Sequence, residues 1–446
     1  MAKTRLIRAA LAAAAATAVL AACTPGSEDA GSDDSDSSDG AESVSTEVPD
    51  EDATLRLAFV DGPEMVDELI AAFEEEYPQV TIEPQFTEFT DYVASIRLNM
   101  TSDSAPDIAQ FNVGAMSDLI PSGHLLNLDP YSEAYGWQES FPSVGLEQLT
   151  ADETGKVYGS GSLRAVPAGM SLTGVFYNKE LADEAGIEIP PATLDEFEQA
   201  LEAASEAGHT PLSIGALDSG GAHMWAALLN SMMPVEDYRA WVTGEAGGSI
   251  STDEALAATE KFTEWADQGN FNDSANGTDQ EASTAQFVDG RSVFLMNGNW
   301  AAAQVADEMG DNAGFFLLPG LEQDAPAVGS GFSVSYAISS QTEHPEAAAA
   351  FLDFLASPEA AEIEAHGGFL PPNVDAAPEA EGVLGDLNSE FARVVEADGL
   401  NVFPDFSAPA TYDALSSGIQ SLIAGRMEPQ AFLDELQGIR DEHHEE

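Results

Sequence analysis

From residue 54 onward the chain alternates between two periodicities, and that alternation constrains its fold more than any other feature. Residues 54–60 (TLRLAFV) alternate and then run apolar, which reads as a strand. Met65, Val66, Leu69, Ile70 and Phe73 recur at helical spacing until Pro78 ends the pattern. VTIEPQF and then PDIAQF (106–111) supply a second and a third strand. Strands that alternate with helices predict an α/β fold with ligands at the carboxyl ends of its strands.

A second set of the same kind begins near residue 165. SLTGVFYN reads as a strand, and PPATLDEFEQALEAASEAG as a helix capped by Thr193, with Glu196 three residues on and Gly208 as its stop. There follow LSIG, an apolar helix over 222–233, an acidic helix over 252–267, and RSVFLMNGNW, a strand running into a helix. Residues 332–340 (FSVSYAISS) predict one more strand, followed by helices entered through Pro345 and Pro358. Helices over 411–425 and from 428 to about 442 close the chain. The trailing DEHHEE predicts a frayed tail and not a metal site, because adjacent histidines in a charged terminus lack supporting ligands.

The start of the chain reads differently. Lys3, Arg5 and Arg8 precede the apolar run AALAAAAATAVLA, which is too short for a membrane span of roughly 20 residues and is laid out as an export signal. Cys23, the one cysteine in 446 residues, follows it. Leu20, Ala21, Ala22 and Cys23 resemble the lipobox of bacterial lipoproteins, in which the cysteine is acylated and becomes the first residue after cleavage. Two acyl chains anchor stably where one is marginal. The resemblance therefore implies residues 1–22 as signal peptide and a membrane anchor at Cys23. Residues 24–52 are dominated by Ser, Gly, Asp and Glu, with no Lys or Arg and hardly anything apolar, so 23–52 is predicted to be a disordered acidic tether. The stretch DDSDSSDG in it lacks the glycine register and the distal glutamate of a calcium loop.

Charge narrows the partners. With 79 Asp plus Glu against 14 Lys plus Arg, the formal net charge is -65, so nucleic acid and anionic lipid headgroups would be repelled. In so acidic a chain no single carboxylate stands out as catalytic.

The order of these pieces resembles the extracellular solute-binding proteins of carbohydrate ABC importers, the maltose-binding-protein-like group. The matching segments are SAPDIAQFN followed by LLNLDPY, FYNKELADEAGIEIPPATLDEFEQAL, FVDGRSVFLMNGNW, GFFLLPG, GFSVSYAISSQTEHPEAAAAFLDFLASPEAAE and GGFLPPN. That resemblance implies a two-lobed periplasmic-binding-protein-like fold of type II, with lobes joined by several chain crossings. Residues 53–167 plus 333–373 would form the N-terminal lobe, and 168–332 plus 374–446 the C-terminal lobe. A carbohydrate would lie in the cleft between them, a permease of the importer would receive it, and the protein would act as a monomer with no cofactor, no metal and no catalysis.

A sugar site needs aromatic planes for ring faces and polar groups for the hydroxyl rim. Trp300 is the leading candidate. With Asn299 as cap of a helix running through Ala301, Val305 and Met309, Trp300 lies roughly 140° from Val305 and roughly 180° from Met309, off that helix's core stripe. It also aligns with the tryptophan of the family's Gly-x-Trp segment, which stacks on sugar; packing against a neighbouring loop is the alternative. Trp225 is equally readable as core, since Leu228, Leu229 and Met232 follow it at core spacing. His223 lies off that stripe, where it could donate to a hydroxyl. Asp61, Glu88, Phe111 and Asn112 follow the first three strands, and Phe332 follows Gly329 and Gly331, whose lack of a side chain permits close backbone approach. Each of these has turn chemistry or core packing as its alternative.

Two further function classes stay open from sequence. A secreted carbohydrate-active hydrolase needs two carboxylates about 5 to 10 Å apart. A receptor for a metal or a polyamine needs clustered carboxylates or tyrosines. HExxH, GxSxG and P-loop patterns are absent from the sequence.

Overall fold

The computed structural model describes residues 44–60, 62–141, 143–370 and 380–445. Cys23 and Asp61, two of the residues singled out above, lie outside them, as do the signal and most of the acidic segment.

Two sheets organise the described chain. The first has five strands in the spatial order Val80–Phe86, Ala53–Phe59, Ile108–Gln110, Ser333–Ile338 and Val166–Met170. Its first three strands run parallel, with Leu57 of the middle strand opposite Pro84 on one side and Ile108 on the other. Ser333–Ile338 enters antiparallel between Ile108–Gln110 and Val166–Met170. The second sheet has four strands, Ala313–Phe316, Thr173–Asn178, Ser292–Gly298 and Thr210–Ser213. Every residue of Ser292–Gly298 is buried, so alternation is lost there, as expected for a central strand covered on both faces.

Local chemistry sets the helices as the sequence predicts. Pro63–Glu76 starts with proline in its first turn after Gly62 and buries Met65, Val66, Leu69, Ile70 and Phe73. The Phe73 ring packs edge-on against Phe351, 5.2 Å between centroids, which ties this helix to Pro345–Phe354. Thr193 Oγ1 accepts from the Glu196 N–H, and the Glu196 carboxylate reaches back to the Ala192 N–H at 2.7 Å. Such a cap stabilises a helix by about 1 kcal/mol.

The chain crosses between the sheets through residues 171–172 and 331–332, and the two crossings are bonded side by side. Ser171 Oγ donates to the Phe332 carbonyl at 2.7 Å and accepts from the Phe332 N–H at 2.9 Å. A Cβ at Gly331 would overlap the Ser171 carbonyl oxygen, so the close approach read from Gly331 is real and glycine is required there. Met170 also exchanges backbone bonds with Leu370, at 2.6 and 3.1 Å. The boundary expected at 167/168 falls inside a strand: Val166–Met170 belongs wholly to the first sheet, because Val166, Pro167 and Met170 all pair with Ser333–Ile338.

Two further expectations change. The segment 44–52, inside the stretch read as tether, lies against the folded body: Val44 and Val48 pack on the core, and the Tyr135 hydroxyl donates to the Thr46 carbonyl at 3.3 Å. Two valines in an otherwise polar run supply enough apolar surface to hold it. The tail is not frayed either. Pro429–Glu445 is helical, Lys156 Nζ donates to the His443 carbonyl at 2.6 Å, and His444 Nε2 lies 3.0 Å from the Ser407 carbonyl oxygen. The buried Phe432, Leu433 and Leu436 dock that helix, which a count of terminal charges does not reveal.

Candidate functional site

The carboxyl ends of Ala53–Phe59, Val80–Phe86 and Ile108–Gln110 open into the loops carrying Val60, Glu88 and Phe111, as the parallel arrangement requires. Those loops form one wall of a cavity of about 660 Å³. The opposite wall comes from Ser219–His223, Trp300 and the stretch Phe403–Ser416, and the floor from Ser171 and Phe332–Val334 at the crossings. The volume suits a small organic ligand of one to a few rings.

Of the nine residues proposed from sequence to contact ligand, six line this cavity: Glu88, Phe111, Asn112, His223, Trp300 and Phe332. The protein has five tryptophans; Trp137, Trp225, Trp241 and Trp265 are fully buried, and Trp300 is partly exposed. Its ring folds back over Gly298, where any Cβ would overlap it, and stands 5.5 Å from the His223 imidazole. His223 in turn packs edge-on to Phe403 at 5.1 Å. Burial between these rings lowers the His223 pKa to about 4, so at neutral pH it is an uncharged imidazole.

The structure does not bring Trp225 or Asn299 to the cavity. Trp225 is at 0 % exposure, its Nε1 donates to Thr259 Oγ1 at 2.9 Å and its ring meets Phe432, so its core spacing decides its place. Asn299 is also fully buried, and it is not a helix cap. Its Oδ1 accepts from the Leu172 N–H, and its Nδ2 donates to the carbonyls of Met170 and Gly368. The amide thus spans the crossing, while Trp300 enters through a short 3₁₀ turn, Asn299–Ala301, before the α-helix Ala302–Met309. Asn112 does both jobs in part: its Oδ1 caps Val113–Met116 by accepting from the Ala115 N–H, which leaves its NH₂ for other partners.

Sequence reading missed much of the far wall. Phe403, Phe406 and Tyr412 line the cavity, with the Phe406 ring 4.4 Å from Phe332 and the Tyr412 ring 5.9 Å from Phe89. The run VFPDFSAPATY held a usable signal, aromatics interleaved with prolines just ahead of a helix, where no core stripe accounts for them.

Carboxylates also line the cavity. Asp218 accepts from the N–H groups of Gly220 and Gln280, and Asp279 caps Gln280–Val288 through the Ala282 N–H, so both hold the wall together. Asp405, in the turn Pro404–Ser407, is pushed up to about 6 by burial, offset only by its own backbone N–H. Among the described residues no group of three or more His, Cys, Asp or Glu is arranged to hold a metal ion, and no helix is long and apolar enough to cross a membrane.

Comparison with known proteins places this architecture. Residues 68–386 match the family of bacterial extracellular solute-binding proteins. The multiple sugar-binding protein of Streptococcus mutans is 21 % identical over 329 residues, covering 72 % of this chain and 73 % of that one. Among solved structures, a chitin oligosaccharide binding protein superposes with a TM-score of 0.76 at 22 % identity, over 88 % of this chain and 99 % of its own. A second, the binding protein RafE in complex with raffinose, gives 0.70 at 18 % identity over 88 % and 99 %. These are two-domain solute-binding folds, and the two sheets with their bonded crossings have the same construction. The match spans most of the chain, and the protein belongs to the bacterial extracellular solute-binding protein family.

Proposed function

We propose that this protein captures a sugar, a mono- or oligosaccharide, outside the cell and delivers it to the permease of an ABC importer. The observation that carries the reading is the cavity itself: Trp300, Phe111, Phe332, Phe403 and Tyr412 offer ring faces beside Asn112, Glu88 and the uncharged His223. Aromatic planes with a sparse polar rim are what sugar C–H faces and hydroxyls require. Sugar-binding relatives and neighbours support the same class. On this reading six of the nine residues named from sequence contact ligand from the cavity lining, with Asn299 holding the crossing that orients Trp300 and Trp225 supporting the wall from the core. Asp61, which follows the first strand in sequence and lies outside the described residues, remains a proposed contact.

The two sheets act as the cores of two lobes, and the crossings at 171–172 and 331–332 as their hinge. Ligand that touches both lobes favours the closed arrangement, and closure is the signal the permease reads. Acylated Cys23 holds the monomer at the outer face of the membrane through the acidic segment. No covalent step is needed for this task.

Thermal unfolding of protein lacking residues 1–23, with a panel of sugars, polyamines and divalent metals, tests the assignment. A ligand at 100 times its Kd stabilises by about 2.7 kcal/mol, so one sugar or sugar family should raise Tm by several degrees. Stabilisation by a polyamine or a metal alone would replace the sugar reading. Turnover of the sugar, abolished by one carboxylate substitution, would replace it with a hydrolase. The anchor is tested separately: Cys23→Ser should move the protein from the membrane fraction to the medium.

A further inference from the structure

The charges that line the cavity narrow the ligand class, a step that rests on the sugar reading above. Glu88, Asp218, Asp279, Glu281 and Asp405 line it, and among the described residues no Lys or Arg does. Asp218 and Asp279 are committed to backbone N–H groups, and Glu88 and Glu281 are exposed, where water screens them. Asp405 differs from all four. It is partly buried in the turn Pro404–Ser407, and no ion pair among the described residues includes it. Its backbone also faces the opposite wall: a Cβ on Gly114 would lie 3.7 Å from the Asp405 carbonyl oxygen. Its backbone therefore stands where the two walls approach each other.

We propose that Asp405 is a charge filter, which restricts the cavity to sugars without acidic groups and rejects uronic acids. An entering carboxylate would lose water beside a like charge, with no cationic side chain among the described lining residues to receive it. A hydroxyl, by contrast, donates to Asp405 and offsets its burial. The net charge of -65 also repels anions, but that field acts at long range and salt screens it. Asp405 acts at contact distance, where screening is weak.

The test pairs the neutral sugar that raises Tm with its own C6-oxidised uronic acid, each measured by calorimetry at 0.15 and 1 M NaCl. Wild type should bind the neutral sugar about 100-fold tighter or more at both salt concentrations, as like-charge contact implies. Asp405→Asn should shrink that ratio to below about 10-fold, whereas Glu322→Gln, which removes the same charge from an exposed position outside the cavity, should leave it unchanged. Asp405→Ser gives the same readout should the asparagine variant fail to fold. A ratio near one in wild type, or one that Asp405→Asn does not alter, overturns the filter. Binding of no sugar at all overturns the carbohydrate reading instead, and the filter falls with it.

Discussion

The Trp300 ring lies 5.5 Å from the His223 imidazole, centroid to centroid, and the two rings tilt by 54° on one wall of the cavity. Trp300 is partly exposed, whereas Trp225, two residues beyond His223, is fully buried against Thr259 and Phe432. Trp300→Ala should therefore weaken sugar binding by about tenfold or more with little change in Tm. Trp225→Ala should do the reverse, lowering stability by about 3 to 5 kcal/mol through the cavity it leaves. Calorimetric titration and thermal unfolding of both variants separate the two outcomes.

His223 gives the wall a pH signature. Its pKa in the fold is about 4, below the usual 6.5, because burial disfavours the imidazolium. A depressed pKa means that its contribution to stability is complete above pH 6.5 and is lost as pH falls toward 4. The linkage slope is about 1.4 kcal/mol per pH unit, up to about 3 kcal/mol in all. Relative to His223→Gln, wild type should lose stability between pH 6.5 and 4, measured by chemical unfolding across that range. A constant difference would place the imidazole in water.

Glu364 should show the opposite sign. It is at 0 % exposure on Pro358–His366, close to Gly169 and Phe369, and neither carboxylate oxygen has a hydrogen-bond partner among the described residues. Burial raises its pKa well above 4.5 by disfavouring the carboxylate, so stability is lost as pH rises from the unfolded-state value through the folded one. Glu364→Gln should flatten that loss. Glu364→Leu should stabilise by about 1 to 3 kcal/mol at pH 8 and by less at pH 4, read by urea unfolding at the two pH values.

The fold was legible because it rests on local patterning. Met65 through Phe73, the Thr193 cap and the Pro345 and Pro358 entries each announce their element within a few residues. Trp300 was legible for a related reason: it breaks the apolar stripe of the helix it precedes. Asn299 was misread as a cap because its true partners, Leu172, Met170 and Gly368, are brought to it only by the crossing. Asp405 and Phe406 escaped notice because their role depends on the wall opposite, Gly114 and Phe332, which is remote in sequence. The tail misled through its charge, since the buried Leu433 and Leu436, about one to two turns earlier, decide where it docks.

Tryptophan fluorescence tests the central claim most directly, because Trp300 is the partly exposed tryptophan and it faces the cavity. Titration with the sugar that raises Tm should give a saturable spectral change in wild type that is absent from Trp300→Phe. The same saturable change in Trp300→Phe would place the sugar elsewhere and contradict the site described here.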